Sequence, residues 1–432
     1  MEKTIVALST AIGKSAIAVI RMSGENSIEI AKKIFTPMPK EANYLKVGTL
    51  KTENFDEQAM CVYFIAPHSY TGENMVEFHC HGGRMVIKAV IDACLSNGAV
   101  MAQNGEFSKR AFVNGKQNLT NAEGVIEMID AESVSAAKAA SNLLKNKLGQ
   151  KVVALQDELL DVVSAGEVAL DYPEEDLELP TKEQTKEKLK KIKDETEKLI
   201  RTSTLGKVAM YGIDVAIVGA PNVGKSTLLN ALLGQDRAIV SDISGTTRDT
   251  LCEKVMYKDI CFNFVDTAGL HETTDKIESE GIRRAKEAAD NADVVLNVTD
   301  NPLDRSVYPT IKPQIRVFNK ADLFDELPCC DDSLIVSAKS GDVESVKEML
   351  YDMFCAGDIL NSDLLITSER HLDCLKRATE EINQALLASQ NSTMDIVVSS
   401  AKNAWEILGE ITGTSAREDI IDRIYSKFCL GK

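Results

Sequence analysis

Apolar and polar positions alternate in short runs over the first stretch of the chain. Thr4-Ile5-Val6-Ala7, Ile17-Ala18-Val19-Ile20 and Met60-Cys61-Val62-Tyr63-Phe64 have the length and β-branched content of strands. The spacing from Ser27 to Phe35 and from Met85 to Leu95 is that of amphipathic helices, so residues 1–116 read as a compact α+β unit. From 117 to 210 the period becomes helical in strongly mixed charge. Val125, Ile126, Met128 and Ile129 begin one stripe, and Leu189, Ile192, Thr196 and Leu199 follow an i, i+3, i+7, i+10 spacing. Asp171-Tyr172-Pro173-Glu174-Glu175-Asp176 interrupts the helices, because proline cannot continue one, and the acidic run reads as a solvated bend. Between 211 and 357 the runs Val215–Val218, Phe262–Val265 and Val317–Phe318 alternate with helical stretches, as in a parallel α/β sheet. Helical spacing returns from 358 to 432, with Leu372, Leu375, Thr379, Ile382 and Leu386 on one face and Trp405 and Leu408 on a later helix. Neither helical block has a partner of its own kind adjacent in sequence. The economical arrangement is one all-α domain assembled from both blocks, with the α/β unit inserted between them.

The inserted unit carries the chemistry. Gly219-Ala220-Pro221-Asn222-Val223-Gly224-Lys225-Ser226 fits the phosphate-loop pattern G-x-x-x-x-G-K-[ST], entered by an apolar strand and left by a helix that begins at Thr227. Glycines let successive N–H groups curl toward phosphate oxygens, and the helix N-terminus adds its positive end. Lys225 would reach the β- and γ-phosphates and the Ser226 hydroxyl would ligate Mg²⁺. Downstream, Gly245-Thr246-Thr247-Arg248-Asp249 is where a switch segment offers a second hydroxyl to Mg²⁺, with Thr247 the candidate. Asp266-Thr267-Ala268-Gly269 follows a strand; Asp266 would hold the Mg²⁺ shell and the Gly269 amide would face the γ-phosphate. Asn319-Lys320-Ala321-Asp322 follows another strand. A carboxylate there accepts both the N1–H and the 2-amino protons of guanine, a donor pair adenine lacks, so the nucleotide is GTP. Ser337-Ala338-Lys339 would back the base through main-chain contact.

Composition narrows the partners. The chain has 432 residues, enough for several cores, is 44% apolar, and contains no apolar stretch of the ~18–20 residues a membrane span needs. Its first residues lack the apolar core of a secretion signal, and its ten cysteines show no C-x-x-C pair, so reduced thiols in a cytoplasmic protein are expected. A net charge of −17 excludes nucleic-acid binding by overall field; RNA contact needs a local basic patch or a basic partner. His79-Cys80-His81 invites a zinc reading, since strand alternation puts both histidines on one face. Without further spaced ligands, a structural role at the turn into Gly82-Gly83 is preferred.

Several stretches together resemble the tRNA-modification GTPase family MnmE/TrmE over the whole chain. They are Ser69–Asn74 (SYTGEN) with Val76–Gly83 (VEFHCHGG), the Gly105–Lys116 stretch, Leu170–Asp176 (LDYPEED), and the last residues Cys429-Leu430-Gly431-Lys432. The resemblance implies a homodimer through the N-terminal domain, with 5-formyl- or methylene-tetrahydrofolate bound by Arg21, Glu77, Lys116 and Lys432. It implies an FAD-dependent MnmG/GidA-type partner in a heterotetramer, and an aminomethyl or carboxymethylaminomethyl group installed on C5 of the wobble uridine of certain tRNAs. It also implies K⁺ against Asn222, Ser241, Ile243 and Thr246, standing in for an arginine finger. Glu278 matches the family's water-activating glutamate. That would answer the absence of a glutamine after Asp266–Gly269, where this chain has Leu270. Cys429 has two readings, a thiol acting on the uridine or packing near the folate site. The contrasting function is a non-catalytic GTP switch or RNA-assembly factor, which Leu270 motivates.

Overall fold

The computed structural model describes residues 3–172, 180–234, 252–265, 286–324, 333–354, 364–391 and 394–432, with Arg283. It divides into two compact units, Met1–Ile126 with Leu143–Lys193 and Arg377–Lys432, and Glu127–Asn142 with Asp194–Lys376. No described helix is long and apolar enough to cross a membrane.

In the first unit, β1 (Ile5–Leu8), β2 (Ser15–Ser23), α1 (Ser27–Ile34), β3 (Phe35–Thr36), β4 (Lys46–Lys51), β5 (Asp56–Phe64), β6 (Met75–Gly82), α2 (Arg84–Ser96), β7 (Val100–Met101) and α3 (Glu106–Val113) follow in order. The strands form a seven-stranded sheet, β3-β4-β5-β6-β2-β1-β7, antiparallel except where β1 meets β7. The expected strands and helices of residues 1–116 match β1, β2, β5, α1 and α2, except that Thr4 precedes β1 and Phe35 belongs to β3. Alternation decides what faces where. Val76, Phe78 and Cys80 of β6 are buried in a core with Ile20, Ile30 and Val90, while Glu77 and His79 project to the other side. Burial pushes the thiols of Cys61 and Cys94 up to about 12 and that of Cys80 to about 11, so they pack as inert apolar groups. Cys80 thus turns away from His79 and His81. His81 Nδ1 instead lies 2.6 Å from Glu57 Oε1, which also accepts the His81 N–H.

Helices α4 (Leu119–Asp130), α5 (Val134–Leu144), α6 (Lys147–Asp171), α7 (Lys182–Arg201) and α8 (Ser203–Tyr211) come next. The second sheet and its helices follow: β8 (Ile213–Gly219), α9 (Lys225–Leu233), β9 (Cys252–Tyr257), β10 (Ile260–Val265), β11 (Val294–Thr299), β12 (Gln314–Phe318), β13 (Leu334–Ile335) and α10 (Glu344–Phe354). α11 (Glu369–Asn391), α12 (Met394–Thr412) and α13 (Glu418–Tyr425) close the chain.

α6 and α12 pair within the first unit. Leu148, Val152, Leu155 and Leu159 of α6, and Val397, Ala401, Ala404 and Leu408 of α12, are buried, and Gln156 Nε2 donates to Trp405 O at 2.9 Å. Each buried Leu or Val contributes about 1.5–3 kcal/mol. α13 and the turn after it set Tyr425 and Phe428 against Leu119 and Ala122, and the last residues reach β1 and β2 of the N-terminal sheet.

Among the described residues, the second unit is built on a six-stranded sheet, β13-β12-β11-β8-β10-β9, parallel except for β9. Asp259, in the turn between β9 and β10, caps α5, with Oδ1 accepting from Val134 N (2.8 Å) and Oδ2 from Ser135 N (2.7 Å).

The expected stripe Leu189, Ile192, Thr196 and Leu199 is buried throughout. Two other stripes differ from expectation. On α4, Ile129 is 53% exposed, and the inward positions belong to Ala122 and Glu127. The Glu127 carboxylate goes inside because Thr367 Oγ1 donates to it at 2.7 and 2.9 Å, which offsets the cost of burying it. On α11, Leu375 and Ile382 are buried as expected, but Ala378 and Ala385 take the other innermost positions. Thr379 and Leu386 stay half-buried, because small side chains suit the closest approach.

Candidate nucleotide site and N-terminal cleft

The phosphate loop joins the end of β8 to the start of α9. Gly224 has φ +95°, and a Cβ there would stand 2.3 Å from Asn319 Nδ2, so glycine is required on both counts. Asn222 is also left-handed, at φ +62°. Val223 is buried, while Ser226 and Thr227 are exposed at the first turn of α9, where backbone N–H groups lack helical partners. Lys225 Nζ donates to the loop carbonyls of Gly219 (2.9 Å) and Ala220 (2.8 Å), so its ammonium is folded over the loop.

The residues expected to recognise the base are tied to this loop. Buried Asn319 donates through Nδ2 to Val223 O (3.0 Å) and accepts from Ala338 N at Oδ1 (3.1 Å). Lys320 Nζ donates to Asn222 O (2.7 Å) and to Asp300 Oδ2 (2.7 Å). Asp322 is fixed by Ser337 Oγ at 2.7 Å and is itself exposed, leaving carboxylate acceptors for a ligand; Lys339, two residues after Ser337, is exposed. Asn222 to Thr227, Asn319, Lys320, Asp322, Ser337, Ala338 and Lys339 are therefore brought together. Ser241, Ile243, Thr246, Thr247, Asp266, Thr267, Ala268, Gly269 and Glu278 lie outside the described residues.

A second cleft, of about 410 Å³, opens on the outer face of the N-terminal sheet and is lined by Arg21, Phe64, His68, Tyr70, Glu77 and Lys116, among others. Arg21 and Glu77 are cross-strand partners on β2 and β6, and Arg21 Nε and Nη2 reach Glu77 Oε1 at 2.8 and 2.7 Å. Burial works to raise the Glu77 carboxyl, but His79 and the Arg21 guanidinium outweigh it and hold it below its ordinary range. The Arg21 guanidinium lies 5.4 Å from the Tyr70 ring centroid and 5.9 Å from that of Phe107. Lys116 Nζ donates to Pro67 O at 2.9 Å. The chain's last residues reach the same place: Gly431 O accepts from Ser9 Oγ (3.1 Å) and from Arg21 Nη1 (3.5 Å). Burial first, and the nearby Arg21 second, hold the Lys432 ammonium below its ordinary range. Cys429 is exposed on this tail.

Arg21, Glu77, Lys116 and Lys432 thus converge although they are far apart in sequence. Tyr70 and Phe107 were not singled out as site residues from the sequence, although they lie in the SYTGEN and Gly105–Lys116 stretches that were; His79 was weighed only as a zinc ligand and instead sits beside Glu77.

Arg21→Ala is expected to cost about 1–3 kcal/mol by taking the guanidinium from a mostly buried carboxylate and leaving it only His79. Thermal denaturation checks it. Because the Glu77 carboxyl is depressed, its stabilising contribution is present above its ordinary value of 4.5 and is lost as pH falls through the depressed value. The variant should therefore lose part of the parent's acid-limb dependence, and an unchanged melting profile across pH would contradict the pairing.

Comparison with known proteins follows the same division. The TrmE N-terminus model, described as GTP-binding protein TrmE N-terminus, matches residues 4–116, and the MnmE helical domain model matches residues 119–429. The tRNA modification GTPase MnmE of Clostridioides difficile strain 630 is 36% identical over 457 aligned positions, covering 100% of both chains. That of Lactobacillus gasseri is 37% identical, covering 99% of this chain and 98% of its own. Among solved structures, the G domain of the T. maritima FeoB iron transporter is similar over 32% of this chain and 97% of that one, at 22% identity and a TM-score of 0.23. With both family models in sequence order and relatives matched end to end, this chain belongs to the tRNA modification GTPase MnmE family.

Proposed function

We propose that this chain binds and hydrolyses GTP, and that hydrolysis serves the modification of tRNA in the cytoplasm. The carrying observation is the tie between Asn319 and Val223 O, with Asp322 held by Ser337, which makes the guanine-selecting carboxylate and the phosphate loop one assembly. The donor set suits the implied ions. Ser226, with Thr247, would hold Mg²⁺; Asn222, with Ser241, Ile243 and Thr246, would hold K⁺. These ions supply positive charge where negative charge develops on the phosphates. Lys225 would add its ammonium to the same phosphates, and Glu278 would orient the attacking water.

The N-terminal cleft suits a tetrahydrofolate. Arg21, Lys116 and Lys432 offer cations for carboxylates, Glu77 an acceptor for ring N–H groups, and Tyr70 and Phe64 apolar walls. Homodimer formation is supported by the sheet's outer row. Val47 pairs with Met60, and Met60 and Val19 both pair with His79, so these residues share one face, and Val47 is 56% exposed. The FAD-dependent MnmG/GidA-type partner and the aminomethylation of the wobble uridine rest on family membership.

GTP turnover in potassium against sodium, at matched ionic strength, tests the reading. Potassium should raise the rate by about tenfold or more. Equal rates would overturn the K⁺ assignment. Tight GTP binding without turnover in either salt would favour a switch that does not hydrolyse alone.

A further inference from the structure

We infer that Asp300 is a positioning residue of the nucleotide site, acting through Lys320 to hold the base-recognition strand end against the phosphate loop. The inference rests on reading this as a guanine-nucleotide site. Sheet order supplies the first argument. β11 lies between β8, which delivers the phosphate loop, and β12, which delivers Asn319 and Lys320. Asp300 is the first residue beyond β11, so its carboxylate stands between the two loops that must close on one ligand.

Geometry supplies the second. Lys320 sits at φ +63° and Asn222 at φ +62°, a region L-residues adopt only when their surroundings fix them. The Lys320 ammonium is held by two acceptors, Asn222 O and Asp300 Oδ2, each at 2.7 Å. A carbonyl alone is a weak hold on a long side chain with about 2 kcal/mol of rotamer entropy to lose. The Asp300 carboxylate adds an ion pair that fixes the ammonium where it meets Asn222 O.

The turn that carries Asp300 is itself fixed. Asp304 accepts from Ser306 N (2.9 Å) and from Thr299 Oγ1 (3.2 Å), and Thr299 Oγ1 accepts from Asn301 N (3.1 Å). The backbone bond from Ser306 leads the causes that hold the Asp304 carboxyl below its ordinary range. Asp300 is thus delivered from a pre-formed bend. The bridge lies 34–40% exposed, so its effect is modest and shows on ligand affinity more than on stability.

The test is fluorescent GDP and GTP affinity, with steady-state turnover, on the full chain as Asp300→Ala, Asp300→Asn, Lys320→Ala and Asp300→Ala/Lys320→Ala. Asp300→Ala should weaken both nucleotides by about twofold to fivefold. Turnover at saturating GTP should stay within about twofold, because no reacting atom is touched. Asp300→Asn should fall between the parent and Asp300→Ala. The double variant should bind no more weakly than Lys320→Ala alone, which a general structural role for Asp300 would not produce. Unchanged affinity in Asp300→Ala, or additive losses in the double variant, overturns the inference while the nucleotide reading stands. A parent chain that binds neither nucleotide overturns both. Should Asp300→Ala fail to fold, Asp300→Asn and its combination with Lys320→Ala carry the same comparison.

Discussion

Asp322→Asn is expected to lower kcat/KM for GTP by about 10²–10⁴-fold, since two charge-assisted hydrogen bonds are at stake at about 1.5–3 kcal/mol each. The carboxylate accepts twice from guanine, whereas an amide presents one acceptor and one donor, so a donor faces a donor. Xanthine has an oxo group where guanine has its 2-amino group, and its edge matches the amide. The variant should therefore turn over XTP in preference to GTP. Ser337 Oγ, which holds Asp322 at 2.7 Å, donates equally well to an amide oxygen, so the side chain keeps its aim. Parallel assays with GTP and XTP decide the matter. Retained GTP turnover with no gain for XTP would remove Asp322 from base recognition.

Gly224→Ala is the other large effect. Its φ of +95° costs an L-residue about 1–2 kcal/mol. The new Cβ would also stand 2.3 Å from Asn319 Nδ2, so the buried bond from Asn319 to Val223 O must break, at about 1–3 kcal/mol more. The sum, about 2–5 kcal/mol, corresponds to a loss of nucleotide affinity from about 30-fold to several thousandfold. Equilibrium binding of labelled GDP reads it. The core beneath the N-terminal sheet, Val6 to Ala99, contains no part of this loop, so stability measured through that core should not move. Parent-like affinity would mean that the loop binds nothing.

Much of this was legible in the sequence because the signals are local. A strand that alternates, a phosphate loop and an N-K-x-D stretch each announce themselves within a few residues, and the order of the motifs fixes the ligand. Asp300 could not be found this way. A single carboxylate after an apolar run has no spacing signature, and its position matters only because β11 lies between β8 and β12 in the sheet. Glu127 was hidden for a similar reason. Its burial is made tolerable by Thr367, 240 residues away, so helical periodicity around it points to the wrong face. The approach of Gly431 to Arg21, across 410 residues, followed from family resemblance in the tail and from nothing in the local pattern.

The pairing of α6 with α12 also has a consequence in time. Gln156 and its acceptor Trp405 are 249 residues apart, so α6 leaves the ribosome long before its partner exists. At about 5–20 residues per second that interval is roughly 10–50 s. Throughout it, Leu148, Val152, Leu155 and Leu159 have no α12 to cover them. The second sheet, by contrast, draws its described strands from residues 213–335 and can close while the helical pair is still waiting. The nucleotide unit is thus synthesised inside an unfinished neighbour, and the apolar face of α6 waits for its partner until the chain is nearly complete.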